Sequence, residues 1–350
     1  MKIHKGSIYW KNAALKGCDF ILSYNAHMIT SIEQRRPFLS LETRVLELMG
    51  TVITLSIETS DSPRLLDQAQ KMLEDYQQRF SANQDDSELM KVNAQAGIKA
   101  VKVSADLFDL IRKGRDMGIS SHSKLNIAIG PLIKLWRIGF ADARVPTKKE
   151  IEERLALIKL EDIELNAEKQ TVFLKKKGME IDLGALAKGY FADQLKDFFQ
   201  AKGVQSGIID LGGNVLTIGE SAKNPEGVWQ IGIQNPLKER GHLIAVIKSK
   251  DQSVVTSGIY ERVLKTGEKK YHHIFDSVTG YPVENDIASL TIVSDHSLDG
   301  EFWTTILFHE SPQKVLNWLN QMPQIEGIII SRTNELFVSE KLKPHIVLLE

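Results

Sequence analysis

The chain has one cysteine, Cys18, in 350 residues, so neither an internal disulfide nor a cysteine-based metal site can be built within it. It has almost no net charge: 44 lysines and arginines stand against 45 aspartates and glutamates, a balance of −1. That balance supplies no global field for nucleic acid or an anionic membrane, and neither is expected as a partner. No run of about 18 apolar residues occurs, which leaves no candidate for a transmembrane helix. Internal repeats, low-complexity tracts and recognisable linkers are also missing. With 42% hydrophobic and 25% charged residues, what remains is the composition of a soluble globular protein long enough to bury a sizeable core.

Leu15-Lys16-Gly17-Cys18 has the outline of a bacterial lipoprotein cleavage site. Such a site follows an apolar stretch of roughly 7–15 residues. Here residues 7–14 are broken by Lys11 and Asn12, and Lys16 stands inside the box. A cytoplasmic protein with a lone thiol is the expectation, and an exported lipoprotein anchored through Cys18 is the alternative. Residues 1–42, with their Arg35-Arg36-Pro37 break and no steady periodicity, read as an N-terminal extension, and residues 43–345 as one domain.

Residues 46–58 (LELMGTVITLSIE) are β-branched and alternating, which predicts a strand. Ser62-Pro63 marks a helix start, with Leu65, Leu66, Ala69, Met72, Leu73 and Tyr76 at helical spacing. A short second helix follows Asp86-Ser87-Glu88, carrying Leu89, Val92 and Asn93. A third spans 105–118, with Leu107, Leu110, Ile111 and Met117 facing inward. The helix-start pattern recurs over 147–158, before two short strands near 163–166 and 171–176. Residues 180–204 read as a strand end, a turn at Gly184 and a helix. Strand-like runs occupy 208–219, 229–236, 243–249, 253–256, 271–275 and 289–293. Helices at 299–309 and 312–321, and strands near 326–331 and 335–338, complete the pattern. Runs of strands with helices between them argue for an α+β fold with a largely antiparallel sheet.

Five glycine- or hydroxyl-rich segments stand at strand ends or turns, where reactive groups are usually displayed. They are Met49-Gly50-Thr51, the stretch from Asp182 to Tyr190, Asp210-Leu211-Gly212-Gly213-Asn214, the stretch from Thr256 to Arg262, and the stretch from His272 to Pro282. Together they suggest a phosphate-bearing ligand. DLGALAKG (182–189) sets backbone N–H groups at a helix N-terminus, which favours anions, with Lys188 one turn in as a point charge. It lacks the spacing of a Walker loop and the GxGxxG of a Rossmann domain. A dinucleotide bound outside a Rossmann domain is therefore to be considered.

In an extended segment His272 and His273 point to opposite faces, so at most one serves a given site. Either could be catalytic or ligand-binding, because histidine titrates near neutrality. Hard cations take oxygen ligands. Glu301 and Thr305, four apart on one predicted helix, share a face, with Thr304 beside them. A capping or solvated carboxylate among core threonines is the structural reading of the same residues.

The order and spacing of nine such segments resemble the ApbE family, the FAD:protein FMN transferases. They are MGT (49–51), FSxxxxDSEL with Asn93 following, GPLIKLW (130–136), DLGALAKGYFAD (182–193), DLGGN (210–214), WQIGIQNP, TSGIYER, HHIFDSVTGYPV and GEFWTTILF (300–308). The resemblance implies a single large domain related to tandem T-fold units, with mostly antiparallel sheets and flanking helices. It implies Mg²⁺-dependent cleavage of FAD, transfer of its FMN half to a threonine or serine hydroxyl of a target flavoprotein, and release of AMP. By position, the metal would be held by the backbone carbonyl of Ala185 with Glu301 and Thr305, and by Thr304 as a further candidate. FAD would meet Met49, Asn83, Lys124, Leu125, Asn126, Asp182, Lys188 and Ile274. His273 matches the histidine that helps deprotonate the acceptor hydroxyl.

Four positions depart from the family pattern: Glu301 stands for Asp, Asn126 for Asp, Asn83 for a flavin-stacking aromatic, and Ser277 for proline. Two alternatives therefore stay open: a flavin-binding protein without transfer, and an FAD pyrophosphatase that uses water as acceptor and gives FMN and AMP.

Overall fold

Met49 and Gly50 both take positive φ, 55° and 70°, so the apolar run that reads as one strand folds back on itself. In the computed structural model, which describes residues 40–120 and 124–349, it forms two strands, β1 (Leu41–Leu48) and β2 (Thr51–Glu58), paired antiparallel. A two-residue loop with positive φ at both positions matches the right-handed twist of the strands it joins. Cys18 and the Leu15-Lys16-Gly17 segment before it lie outside the described residues.

Helix α1 (Ser62–Phe80) follows, starting at Ser62-Pro63 as expected, then α2 (Glu88–Ala94), whose Ser87 cap accepts from Met90 N. Next come β3 (Val101–Lys102), α3 (Ala105–Ser120), α4 (Gly130–Trp136) and α5 (Lys148–Leu155), the last begun by a reciprocal Thr147–Glu150 capping box. Leu107, Leu110 and Ile111 of α3 are buried, but Met117 is 37% exposed and lies off the inner face. Strands β4 (Ile163–Asn166) and β5 (Thr171–Leu174) complete a small three-stranded sheet in the order β3-β5-β4. At residue 180 there is only an isolated bridge to Ile129, not a strand end.

Helix α6 (Ala187–Ala201) leads to β6 (Ser206–Leu211) and β7 (Asn214–Gly219). The run 208–219 is thus a second hairpin, turned by Gly212 and Gly213 at φ 69° and 91°. Strands β8 (Trp229–Gln234), β9 (Leu243–Ser249) and β10 (Ser253–Gly258) precede a short hairpin of β11 (Val263–Thr266) and β12 (Lys269–His272). The chain closes with β13 (Ile287–Ser294), α7 (Ser297–Leu307), α8 (Pro312–Gln321), β14 (Glu326–Ser331), β15 (Leu336–Val338) and β16 (Ile346–Leu348).

Eight strands form one antiparallel sheet in the order β1-β2-β6-β7-β10-β13-β14-β15. Period-two alternation decides what each face covers. Ile53, Leu55 and Ile57 of β2 point into the helical layer with Leu65, Leu66, Leu73 and Tyr76 of α1, all buried. Each such side chain contributes about 1.5–3 kcal/mol on burial. On the other face Val254 and Val293 pack against Ile231, Ile233 and Ile247 of a second three-stranded sheet, β16-β9-β8. β13 is covered on both faces and is buried at every residue. The expected α+β class and antiparallel sheets are what the chain forms. Among the described residues no helix is long and apolar enough to cross a membrane.

Candidate active site

Both tight turns lie at one end of the eight-stranded sheet, because β2 and β6 pair with Ile53 opposite Leu211. The Thr51 side chain occupies the space a Cβ on Gly212 would need, so only glycine lets these two tips meet. The start of β7 lies beside them, and Asn214, its first residue, is 1% exposed.

Asn214 Nδ2 donates to Glu301 Oε1 at 2.9 Å, and its Oδ1 accepts from Ser297 Oγ at 2.7 Å. Lys188 Nζ stands 3.7 Å from the same Glu301 oxygen. Glu301 is only 5% exposed, so it is neither a solvated carboxylate nor a helix cap. Its position on α7 depends on Gly189 of α6: a Cβ there would sit 2.6 Å from Ser297 O and 2.7 Å from Glu301 Cγ. Thr304 and Thr305 Oγ1 both donate to the Glu301 backbone carbonyl, at 3.0 and 2.8 Å. Thr304 is fully buried, and Thr305 is half-buried on the Glu301 side of the helix. Because α6 begins at Ala187, Lys188 lies in the first helical turn rather than one turn in. Ala185 is exposed in the turn just before it.

A second set of contacts shapes the approach. Asp182 N donates to Ile127 O, and its Oδ1 accepts from Gly184 N at 2.8 Å. Burial raises the Asp182 carboxyl above its ordinary range, against the Gly184 N–H and the charge of Arg262. Asn93 grips the strand-like segment before it, donating to Ile181 O and accepting from Ile181 N. Asn126 donates to Ile158 O at 2.7 Å and accepts from Ala128 N at 2.8 Å. A carboxylate could not donate to Ile158, so the amide is needed here by the loop itself. Lys124 Nζ lies 3.0 Å from both Asp276 oxygens, and Ser277 Oγ donates to Lys124 O. Burial opposes the Asp276 charge, but the Val278 N–H and Lys124 outweigh it and hold that carboxyl low.

The two histidines differ in their surroundings: β12 ends at His272, and His273 follows in a bend rather than in an extended strand. His272 is 5% exposed. Its Nε2–H donates to Val283 O at 2.9 Å while Nδ1 accepts from Ile274 N, which fixes a neutral tautomer. His273 Nδ1 has no partner. Burial pushes His273 down to about 4, and Arg262, His272 and Lys188 act in the same direction.

The structure therefore joins Lys188, Asn214, Glu301, Thr304 and Thr305 next to the contact of Thr51 with Gly212, with Lys188 and Arg262 within electrostatic reach of His273 and Arg262 within reach of Asp182. Met49 N is held by Gln77 Oε1 at 2.6 Å. Ile274 is half-buried next to His273. Leu125 has its side chain in the core at 2% exposure, so any role there falls to its backbone. Asn83 is exposed in the loop after α1, where its N–H donates to Ser81 Oγ. Two residues were missed as site members, Asn214 and Arg262; DLGGN and TSGIYER flagged their neighbourhoods without assigning either a role. Among the described residues no three His, Cys, Asp or Glu side chains gather as a metal site. The oxygens on this side of α7 are the Glu301 carboxylate and the Thr305 hydroxyl, and the exposed turn before α6 carries the Ala185 carbonyl. That oxygen set fits a hard cation that keeps waters and draws further ligands from substrate phosphates.

The chain is thus an antiparallel α+β domain in which a lysine and a buried glutamate meet beside the glycine turn of β6 and β7. Residues 49–329 match the ApbE family, and the chain belongs to that family. An FAD:protein FMN transferase of Klebsiella pneumoniae is 38% identical over 292 residues, covering 83% of this chain and 90% of its own. One from Treponema pallidum is 34% identical over 276 residues, 76% of each chain. The solved ApbE protein of Thermotoga maritima shares the fold with a TM-score of 0.80 at 24% identity, covering 87% of this chain and 99% of that one. The flavin transferase ApbE from Vibrio cholerae gives 0.75 at 24% identity, covering 88% and 99%.

Proposed function

We propose that this chain moves the FMN half of FAD onto a threonine or serine hydroxyl of a target flavoprotein, with AMP leaving. The observation that carries the reading is Lys188 standing 3.7 Å from the buried Glu301, which Asn214 holds beside the glycine turn, in a family shared with FAD:protein FMN transferases. The chain is read as cytoplasmic from the polar residues ahead of Cys18.

FAD would be framed by Met49, Asn83, the 124–126 segment, Asp182 and Ile274, with its pyrophosphate toward Lys188. Mg²⁺ would be held by Glu301, Thr305 and the Ala185 carbonyl, with Thr304 beside them. When bound, the ion supplies Lewis-acid stabilisation of charge on the pyrophosphate oxygens. Lys188 adds a fixed positive charge where that charge grows. The acceptor oxygen bonds to the FMN phosphorus, the bond from that phosphorus to the bridging oxygen breaks, and the bridging oxygen departs with AMP. The hydroxyl proton passes to His273. At about 4 the free imidazole is a weak base, and the negative pyrophosphate beside it raises its affinity for that proton.

The test is incubation with FAD, Mg²⁺ and a target domain bearing the acceptor threonine, read as covalent flavin fluorescence in a denaturing gel. Glu301→Ala is expected to abolish metal-dependent transfer. Free FMN plus AMP would instead make water the acceptor, and intact bound FAD would make the protein a flavin binder.

A further inference from the structure

Among the described residues, the face of the sheet opposite the helices is open at Val45 of β1 and Val52 of β2, 60% and 53% exposed. β8 is the last strand of its own sheet. Among the described residues, no backbone hydrogen bond reaches the edge of Trp229–Ile233 that faces away from β9. A cleft of about 280 Å³ lies between that edge and the large sheet.

The lining reveals what the cleft can bind. From β6 and β10 it takes alternate residues, Ile208 with Asp210 and Val254 with Thr256, which is one face of a sheet. From β8 it takes residues 230–233 in succession. Successive side chains in a strand point to opposite faces, so four in a row can share a cleft only through their backbone edge. The floor is side chain, and one wall is a row of unpaired N–H and C=O groups. Exposed edges are usually blunted with lysine, proline or inward charges; the WQIGIQ strand has none of these.

The cleft also leads to the candidate active site. At one end Trp229 Nε1 donates to Gly219 O, at the far end of β7. At the other, Asp210 and Gly213 line the cleft, and Asp210 Oδ1 accepts from Gly213 N at 2.7 Å. Asn214, the residue after Gly213, donates to Glu301 Oε1 at 2.9 Å, so the cleft floor and the site share a boundary.

We propose that the β8 edge is the docking strand for the acceptor polypeptide. An extended segment of the target pairs its backbone with residues 230–233, sets alternate side chains on the half-buried Ile208 and Val215 floor, and brings its hydroxyl to the site end. This rests on the transferase reading above. A backbone edge suits a polypeptide, whereas a water acceptor would need no such wall.

The test uses the full chain with FAD, Mg²⁺ and a library of 15-residue peptides with a central threonine. Covalent flavin is expected on a subset of the peptides. Ile208→Lys should raise their KM tenfold or more while the Kd for FAD stays within twofold. Because that variant could disturb packing, amide hydrogen exchange is also followed in the unaltered chain. Exchange at 230–233 should slow on adding a modified peptide's threonine→valine counterpart. Unchanged KM with unchanged exchange overturns the proposal, as does modification of folded proteins but of no peptide. Slow exchange in the free chain that is lost on deleting residues 1–39, or on dilution, would give the edge to the chain's own N-terminal segment or to a second copy, and also overturns it. If the unaltered chain modifies neither peptide nor protein, the transferase reading fails first and the docking strand falls with it.

Discussion

Asn214 holds Glu301 from a different secondary-structure element: the first residue of β7 donates its amide to a carboxylate on α7 at 2.9 Å. The same amide accepts from Ser297 one helical turn earlier, so its orientation is set from both ends. Asn214→Ala would leave the buried Glu301 oxygen with only Lys188, 3.7 Å away. An orphaned buried polar group costs about 1–3 kcal/mol, more when charged. The expected outcome is a loss of that size in denaturant unfolding, together with a higher Mg²⁺ requirement for transfer. Unchanged stability and an unchanged Mg²⁺ titration would mean that the amide does not position the carboxylate.

The adjacent histidines should respond to mutation in different currencies. His273→Ala is expected to lose transfer a hundredfold or more, the scale of a general base, while FAD affinity and stability hold. His272→Ala removes a buried bond to Val283 O and should cost about 1–3 kcal/mol of stability with transfer retained in the folded fraction. Measuring kcat and unfolding for both variants separates the roles; equal catalytic losses would undo the assignment within the pair.

Acid should destabilise the fold through three histidines. His272, His273 and His309 are each pushed by burial from 6.5 down to about 4. Their folded-state values lie below the unfolded one, so the unfolded chain takes up protons first as pH falls. The stability they contribute is full above about pH 6.5 and is lost towards pH 4. Asp182, Asp193, Asp210 and Asp299 are raised by burial and work in the opposite direction as they protonate. His309 isolates the effect, since both its ring nitrogens are buried without partners. His309→Gln should reduce the slope of stability against pH in that window by up to about 1.4 kcal/mol per pH unit. A slope equal to that of the unaltered chain would show that His309 titrates normally.

Which parts of this were legible in the sequence follows from what each signal measures. Helix starts at Ser62-Pro63 and Thr147 are readable because a first-turn proline and a capping box are both local signals. The strand at 46–58 and the run at 208–219 each concealed a hairpin, because alternation continues through the turn and only positive φ at Met49, Gly50, Gly212 and Gly213 breaks it. The seven-residue α4 is too short to show a period, although GPLIKLW drew attention as a motif. Met117 kept helical spacing but fell near the exposed end of α3. At the site, Lys188, His273 and Glu301 were marked by motif. The meeting of Lys188 with Glu301 was not, because it depends on β2 pairing with β6 and on α6 crossing α7. Arg262 acts on both Asp182 and His273 through space, a relation no linear spacing encodes.

The crossing of α6 and α7 gives the most direct test of that dependence. Gly189 has no side chain to hold the helices apart, and a Cβ would meet Ser297 O at 2.6 Å and Glu301 Cγ at 2.7 Å. Backbone oxygen cannot move aside as a flexible side chain can, so Gly189→Ala must push α7 outward or rotate it. Overpacking of this kind costs about 1–3 kcal/mol. The shift would also move Glu301 relative to Lys188, which sits on α6 one residue before the substitution. Gly189→Ala is therefore expected to lower unfolding stability and to raise the Mg²⁺ concentration needed for half-maximal transfer, with FAD affinity changed less. Gly203→Ala serves as the comparison: it adds a methyl group into open space at a positive φ of 81°, so it carries backbone strain but no helix-crossing clash. If both variants lose stability while neither alters the Mg²⁺ dependence, close helix approach at Gly189 supports the fold but does not set the geometry of Glu301.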